Sequence, residues 1–170
     1  EIMPSLVGSE MCIRDRVMGH HAGYIALNVG IATGALAVLL PERPFDFERD
    51  ILQRMRQTQV TGKKHFIIIV AEGVGVDVQE LAKEIEAKTG VESRACILGH
   101  IQRGGSPTAK DRVLATRMGN YAVKLLMNNI GNRVVAAQKE DVVDYDIFEA
   151  LNMKKTIDMN LYDIAHEVSI

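Results

Sequence analysis

Cysteine, charge of one dominant sign and long apolar runs are all scarce in this chain, and each scarcity closes off a class of protein. Two cysteines among 170 residues, Cys12 and Cys96, do not make a disulfide framework. A reducing, cytoplasmic setting is the expectation. A formal net charge of -2 and a pI near 6.2 leave no basic footprint, so no nucleic acid partner is expected. No apolar run approaches the ~20 residues that span a bilayer, so no membrane partner is expected either. The first residues lack the basic start and long apolar stretch of a signal peptide. There is no low-complexity tract and no repeat at a fixed period. What remains is the balance of a globular protein, 47% hydrophobic and 25% charged, long enough for one domain with a real core.

Patterned sequence begins at Val17. Small apolar residues at helical spacing predict a helix over 19–33, and the run 35–40, stopped by Pro41, predicts a buried strand. Asp46 is placed to open a helix that ends near Gly62. HFIIIVAE, 65–72, is continuous and β-branched, as a strand covered on both faces is. Asp77 opens a helix with Val78, Leu81, Ala82 and Ile85 on one stripe and Gly90 as its stop. A strand follows over 93–98. Ser106-Pro107 reads as a helix start, with a long helix running toward Gly131. A strand over 133–137 and helices over 145–151 and 161–168 complete the pattern. Alternating strands and helices predict an α/β fold, a mostly parallel sheet with helices on both faces. Ligands of such sheets sit at the carboxyl ends of strands. That rule selects Glu72, the loop 99–106 and the turn Met18-Gly19-His20.

Each place admits two readings. LGHIQRGGSP, 98–107, offers His100, Gln102, Arg103, paired glycines and a helix start, with Arg94 upstream. Together these make an anion site, or a capped turn with a solvated arginine. Glu72 is a hydroxyl acceptor or a strand-end residue reaching solvent. GHHAG is a ligand turn or tight helix packing. Adjacent histidines point different ways on a helix and no third ligand is spaced to join them, so zinc is not expected. TGKKH, 61–65, is a solvated basic turn or a phosphate-capturing one.

VMGHHAGYIAL, AVLLPE, GKKH, the strand-end Glu72 and SRACILGHIQRGGSP, in this order and spacing, resemble the carboxyl-terminal half of bacterial-type 6-phosphofructokinase. The resemblance runs from Val17 to about Ala165. It implies a partial phosphofructokinase fold, the sugar-phosphate side of an enzyme that moves a phosphoryl group from ATP, with Mg2+, to the 1-hydroxyl of fructose 6-phosphate. His100 and Arg94 would hold the 6-phosphate, Arg94 reaching a neighbouring subunit's site. Glu72 would bind sugar hydroxyls, the backbone at Met18 and Gly19 would line the sugar, and Arg103 would lie near the transferred group. Lys63, Lys64 and His65 match the family's effector-phosphate site between subunits, where a nucleotide effector would bind. The intact enzyme would be a homotetramer. A pyrophosphate-dependent enzyme is the alternative donor class, and a non-catalytic module binding sugar phosphate or effector is the alternative function.

The chain departs from the family in three ways. His20 stands where the family usually has the arginine that contacts the transferring phosphoryl group. Leu36 stands where many members have a glutamate that helps hold a metal with the effector, and leucine ligates nothing. The glycine-rich nucleotide loop and the Thr-Ile-Asp-Asn-Asp motif with the catalytic aspartate are absent, so no residue here is named as general base or metal ligand, and the chain alone is expected to be inactive.

Residues 1–16 precede the patterned sequence. Within them LVGSEMCIRDR, Leu6 to Arg16, has neither helical stripe nor strand alternation. It reads as the translation of a transposase adapter used in preparing sequencing libraries. Residues 1–16 are therefore expected to be a non-native leader, with 17–170 the phosphofructokinase half and Glu1 to Ser5 unassigned.

Overall fold

The computed structural model describes residues 11–154 and 156–169. Along the chain lie β1 (Met11–Val17), α1 (Tyr24–Thr33) and β2 (Ala37–Leu39). A π-helical stretch, Glu48–Gln53, then continues into α2 (Arg54–Val60). Next come β3 (His65–Ala71), a 3-10 turn at Glu72–Val74, α3 (Val78–Thr89), β4 (Glu92–Ile97) and a second 3-10 turn at His100–Arg103. The remainder is α4 (Ala109–Met127), β5 (Arg133–Gln138), β6 (Asp141–Asp146), α5 (Ile147–Asn152) and α6 (Met159–Glu167).

Four strands form one wholly parallel sheet in the order β2-β3-β1-β4. Side chains of β3 divide between its faces with period two. Phe66, Ile68 and Val70 pack with Ile51, Leu52 and Met55 and with Val78, Leu81 and Ile85 of α3. Ile69 and Ala71 pack with Ala26 and Leu27 of α1 and Tyr162 and Ala165 of α6. Helices thus cover both faces, the expected α/β arrangement, and the continuous apolar run of β3 follows from burial on both sides. Asp77 caps α3 as expected, accepting from the amides of Gln79 (2.8 Å) and Glu80 (3.3 Å), and Gly90 ends it.

The chain divides into two compact units, one running to Arg103 and resuming at Ile157, the other Gly104–Thr156. The first contains the parallel sheet. In the second, no described residue of α4 or α5 is buried, and polar ties are prominent. Tyr121 donates to Asp144 at 2.6 Å, Arg133 pairs with Asp144 at 2.5 Å, and Arg117 donates to the Glu140 carbonyl at 2.7 Å.

Several expectations change. The helix read from Gly19 starts at Tyr24, because 18–23 is a turn. Ser106-Pro107 does not start α4. Thr108 does, in a capping box with Asp111, which satisfies two backbone donors reciprocally where a lone serine satisfies one. The helix read over 145–151 begins only at Ile147. Tyr145 belongs to β6, whose DVVDYD pairs antiparallel with β5 through Lys139-Glu140, Lys139 taking a left-handed φ of +56°.

The largest difference lies at the start. Met11 to Arg16, inside the stretch read as leader, forms most of β1 and fills the slot between β3 and β4. The rest of that stretch lies outside the described residues. The fit is imperfect. Arg14 falls on the core face beside Cys12 and is wholly buried. Its Nη2 donates to Ser93 Oγ at 2.9 Å, but Nε and Nη1 have no partner among the described residues. Burial pulls this guanidinium below its ordinary pKa and pushes the Cys12 thiol up to about 11.

Candidate functional site

The turn 18–23 leaves the carboxyl end of β1 and is held by side chains from elsewhere in the unit. Oε1 of Glu72 accepts from the backbone amide of Gly19 at 3.1 Å and from that of His20. Oε1 of Gln102 accepts from the Met18 amide at 3.3 Å, and its Nε2 donates to the Leu98 carbonyl. Within the turn the Ala22 amide donates to the Gly19 carbonyl at 3.0 Å. His20 has a φ of +54°, a region uncommon for residues with a Cβ, and the Glu72 bond holds it there. Gly73 closes the back of the turn. A Cβ on it would come within 2.5 Å of the His20 carbonyl oxygen, so only glycine permits this approach. The two backbone donors, His20 first, hold the Glu72 carboxyl below its usual range.

Around this turn is a depression of about 620 Å³ lined by Met18, Gly19, His20, Ile25, Glu72, Gln102 and Arg103. It lies at the carboxyl ends of β1 and β3, where the topology rule places ligands. Five of the seven residues read as substrate-binding line it. Arg94 and His100 do not. Arg94 sits in mid-strand, register partner of Ile13, and its guanidinium is engaged by Glu92 at 2.7 and 2.9 Å. His100 is exposed at the start of the turn His100–Arg103.

Lys63, Lys64 and His65 stand at the opposite, amino end of β3, about 20 Å away along a seven-residue strand. Lys63 Nζ donates to the Ser169 carbonyl at 3.0 Å. Leu36 is buried in the core, and the backbone around it is bound, its amide to the Ile67 carbonyl and its carbonyl to Arg54. Among the described residues no three His, Cys, Asp or Glu side chains gather as a metal site. No described helix is long and apolar enough to cross a membrane.

Residues 8–126 match the family model for phosphofructokinase. The chain belongs to the phosphofructokinase family. It is 52% identical to the ATP-dependent 6-phosphofructokinase of Bacillus subtilis (strain 168) over 154 residues, 91% of this chain and 48% of that protein. The corresponding Bacillus licheniformis protein is 53% identical over the same lengths. This phosphofructokinase chain thus spans about half the length of the curated relatives it matches. Among solved structures, Pichia pastoris phosphofructokinase in the T-state superposes with a TM-score of 0.74 at 29% identity, covering 94% of this chain and 18% of that one. The pyrophosphate-dependent phosphofructokinase from Marinobacter aquaeolei superposes with a TM-score of 0.74 at 23% identity, covering 91% and 43%, a likeness of fold.

Two further residues of the site hold backbone amides, a role the sequence assigns to neither. Gln102 was visible only as one polar group among several in LGHIQRGGSP. Glu42, whose Oε1 accepts from the Gly23 amide at 2.8 Å, closes the AVLLPE motif two residues past Leu40, where nothing in the sequence marks its partner. Both act on backbone amides, which a sequence does not distinguish.

Proposed function

We propose that this chain is the sugar-phosphate half of an ATP-dependent 6-phosphofructokinase, whose complete form transfers the terminal phosphoryl group of ATP to the 1-hydroxyl of fructose 6-phosphate. The observation that carries this reading is the turn 18–23 held by Glu72 at the joined ends of β1 and β3, with Gln102 and Arg103 on the rim. Backbone at Met18 and Gly19 lines the sugar. Oε1 of Glu72 holds the turn, leaving Oε2 to accept a sugar hydroxyl. Arg103 and His20 supply donors near the transferred group, the positioning and charge stabilisation on which phosphoryl transfer depends. Arg94 and His100, outside the depression, hold the 6-phosphate in the assembled enzyme, Arg94 serving a neighbouring subunit of a cytoplasmic homotetramer. ATP as donor is supported by relatives named ATP-dependent at about half identity.

Magnesium would neutralise charge on the phosphoryl group, but the described residues do not form a site for it. Lys63, Lys64 and His65 would take an effector phosphate. With Leu36 in the core, a metal held there alongside an effector nucleotide has no ligand at that position.

Leu6 to Arg16 is translated adapter in this reading. Its support is the buried, under-partnered Arg14. The family model's match begins at residue 8, within this stretch. Arg14, with two nitrogens lacking a partner among the described residues, favours a native start at Val17. Long reads of source DNA across the Arg16/Val17 junction, prepared without transposase, test this directly. A frame continuing upstream into a glycine-rich loop supports the reading, and a genomically encoded LVGSEMCIRDR overturns it.

The functional test uses the complete enzyme. Glu72→Gln should raise KM for fructose 6-phosphate at least tenfold, since an amide accepts from the same turn but has lost the charge. An unchanged KM would overturn the assignment of Glu72. Turnover by the 170-residue chain alone would overturn its reading as an inactive half.

A further inference from the structure

Glu72 is not the only side chain holding the His20 turn. Glu42 Oε1 accepts from the Gly23 amide at 2.8 Å, at the point where the turn passes into α1. The Leu27 amide donates to the Gly23 carbonyl at 2.9 Å, the first full turn of α1. Gly23 makes no side-chain cap, and its own amide is held by Glu42 from another segment, past the end of β2, as the third helical residue of a capping box holds the N-cap amide. The fit is close. A Cβ on Gly23 would lie 2.8 Å from Glu42 Oε2 and 2.6 Å from Leu40 Cδ2. At the other end Gln102 holds Met18 and Glu72 holds Gly19 and His20.

We propose that Glu42 is a positioning residue for the phosphoryl-transfer site, fixing the far end of the turn so that His20 keeps its left-handed backbone. Each end of the turn then has a side-chain anchor, Gln102 and Glu72 at the start and Glu42 at the exit. The role rests on the proposed function, but the anchor itself can be tested apart from catalysis.

Two measurements separate them. In the 170-residue chain, amide exchange at Gly23 should speed up at least tenfold in Glu42→Ala and stay near wild type in Glu42→Gln, which retains an acceptor oxygen. Equal protection in all three would overturn the anchor. In the complete enzyme, Glu42→Ala should lower kcat about tenfold with KM for fructose 6-phosphate changed less than twofold, and Glu42→Gln should restore most of kcat. A wild-type complete enzyme without activity overturns the proposed function. An active one in which Glu42→Ala leaves kcat unchanged, or in which KM and melting temperature move instead, overturns the positioning role alone.

Discussion

Two arginines show how differently one protein can take a guanidinium out of water. Arg54, half-buried at the edge of β2, uses all three nitrogens. Nε donates to the Leu36 carbonyl at 2.9 Å, Nη1 meets His166 Nδ1 at 2.5 Å, and Nη2 donates to the His166 carbonyl at 2.9 Å and to Ser169 Oγ. Arg14, wholly buried in β1, has Ser93 Oγ, and its other two nitrogens have no partner among the described residues. Burial lowers both pKa values. The one surrounded by acceptors ties α2 to the carboxyl-terminal helix. The other lies opposite Ile68 of β3 on a core face, with Ser93 and the charge of Glu86 as its polar surroundings. A buried charge is tolerated where acceptors meet each of its nitrogens, and costs stability where they do not.

The largest effect should come from removing the partnered arginine. Arg54→Leu leaves several acceptors without a donor and should cost about 2–4 kcal/mol in denaturant unfolding. A neutral result would erase the contrast. Arg14→Leu should go the other way, raising stability by about 1–3 kcal/mol because it removes two buried nitrogens that have no partner among the described residues. A loss there would mean that the Ser93 bond outweighs them.

The Arg54 cluster also carries a pH signature. Burial, reinforced by Arg54 and Arg43 and opposed by Asp50 and Asp163, pulls the His166 imidazole from 6.5 down to about 4. The unfolded chain then binds a proton in that window that the folded one does not. Stability is full above pH 6.5 and is lost as pH falls toward 4, by about 1–2 kcal/mol after allowing for solvent screening. His166→Gln should flatten that slope in melting curves. A slope of the same size in the variant would remove His166 as its cause.

The smallest effect is a difference in labelling. Cys12 is buried, with its thiol pushed up by burial, while Cys96 on β4 is exposed. A thiol reagent should modify one cysteine in the folded chain and two after denaturation. Rapid labelling of both would show that β1 does not occupy its slot.

Much of the fold was legible because it rests on local chemistry. HFIIIVA reads as a strand covered on both faces whatever surrounds it, and Asp77 and Gly90 mark the two ends of α3 by capping. The site was partly legible, since Met18, Gly19, His20, Glu72 and Arg103 stand in motifs at strand ends and converge on one depression. The amide-holding roles of Glu42 and Gln102 escaped because their backbone partners are remote in sequence. Tyr145 was misplaced by a start read one residue before the cap: Asp146 caps α5 through the amides of Phe148 and Glu149, and Tyr145 pairs with Val134 of β5.

The amino-acid sequence by itself determined the α/β class, the buried strands and the phosphofructokinase resemblance, because periodicity, caps and motif order are properties of neighbours along the chain. Only the tertiary structure decided that MCIRDRV is a central strand. Nothing in those seven residues alternates as a strand should. Their place follows from the open slot between β3 and β4, whose backbone donors and acceptors are met by any chain laid parallel beside them.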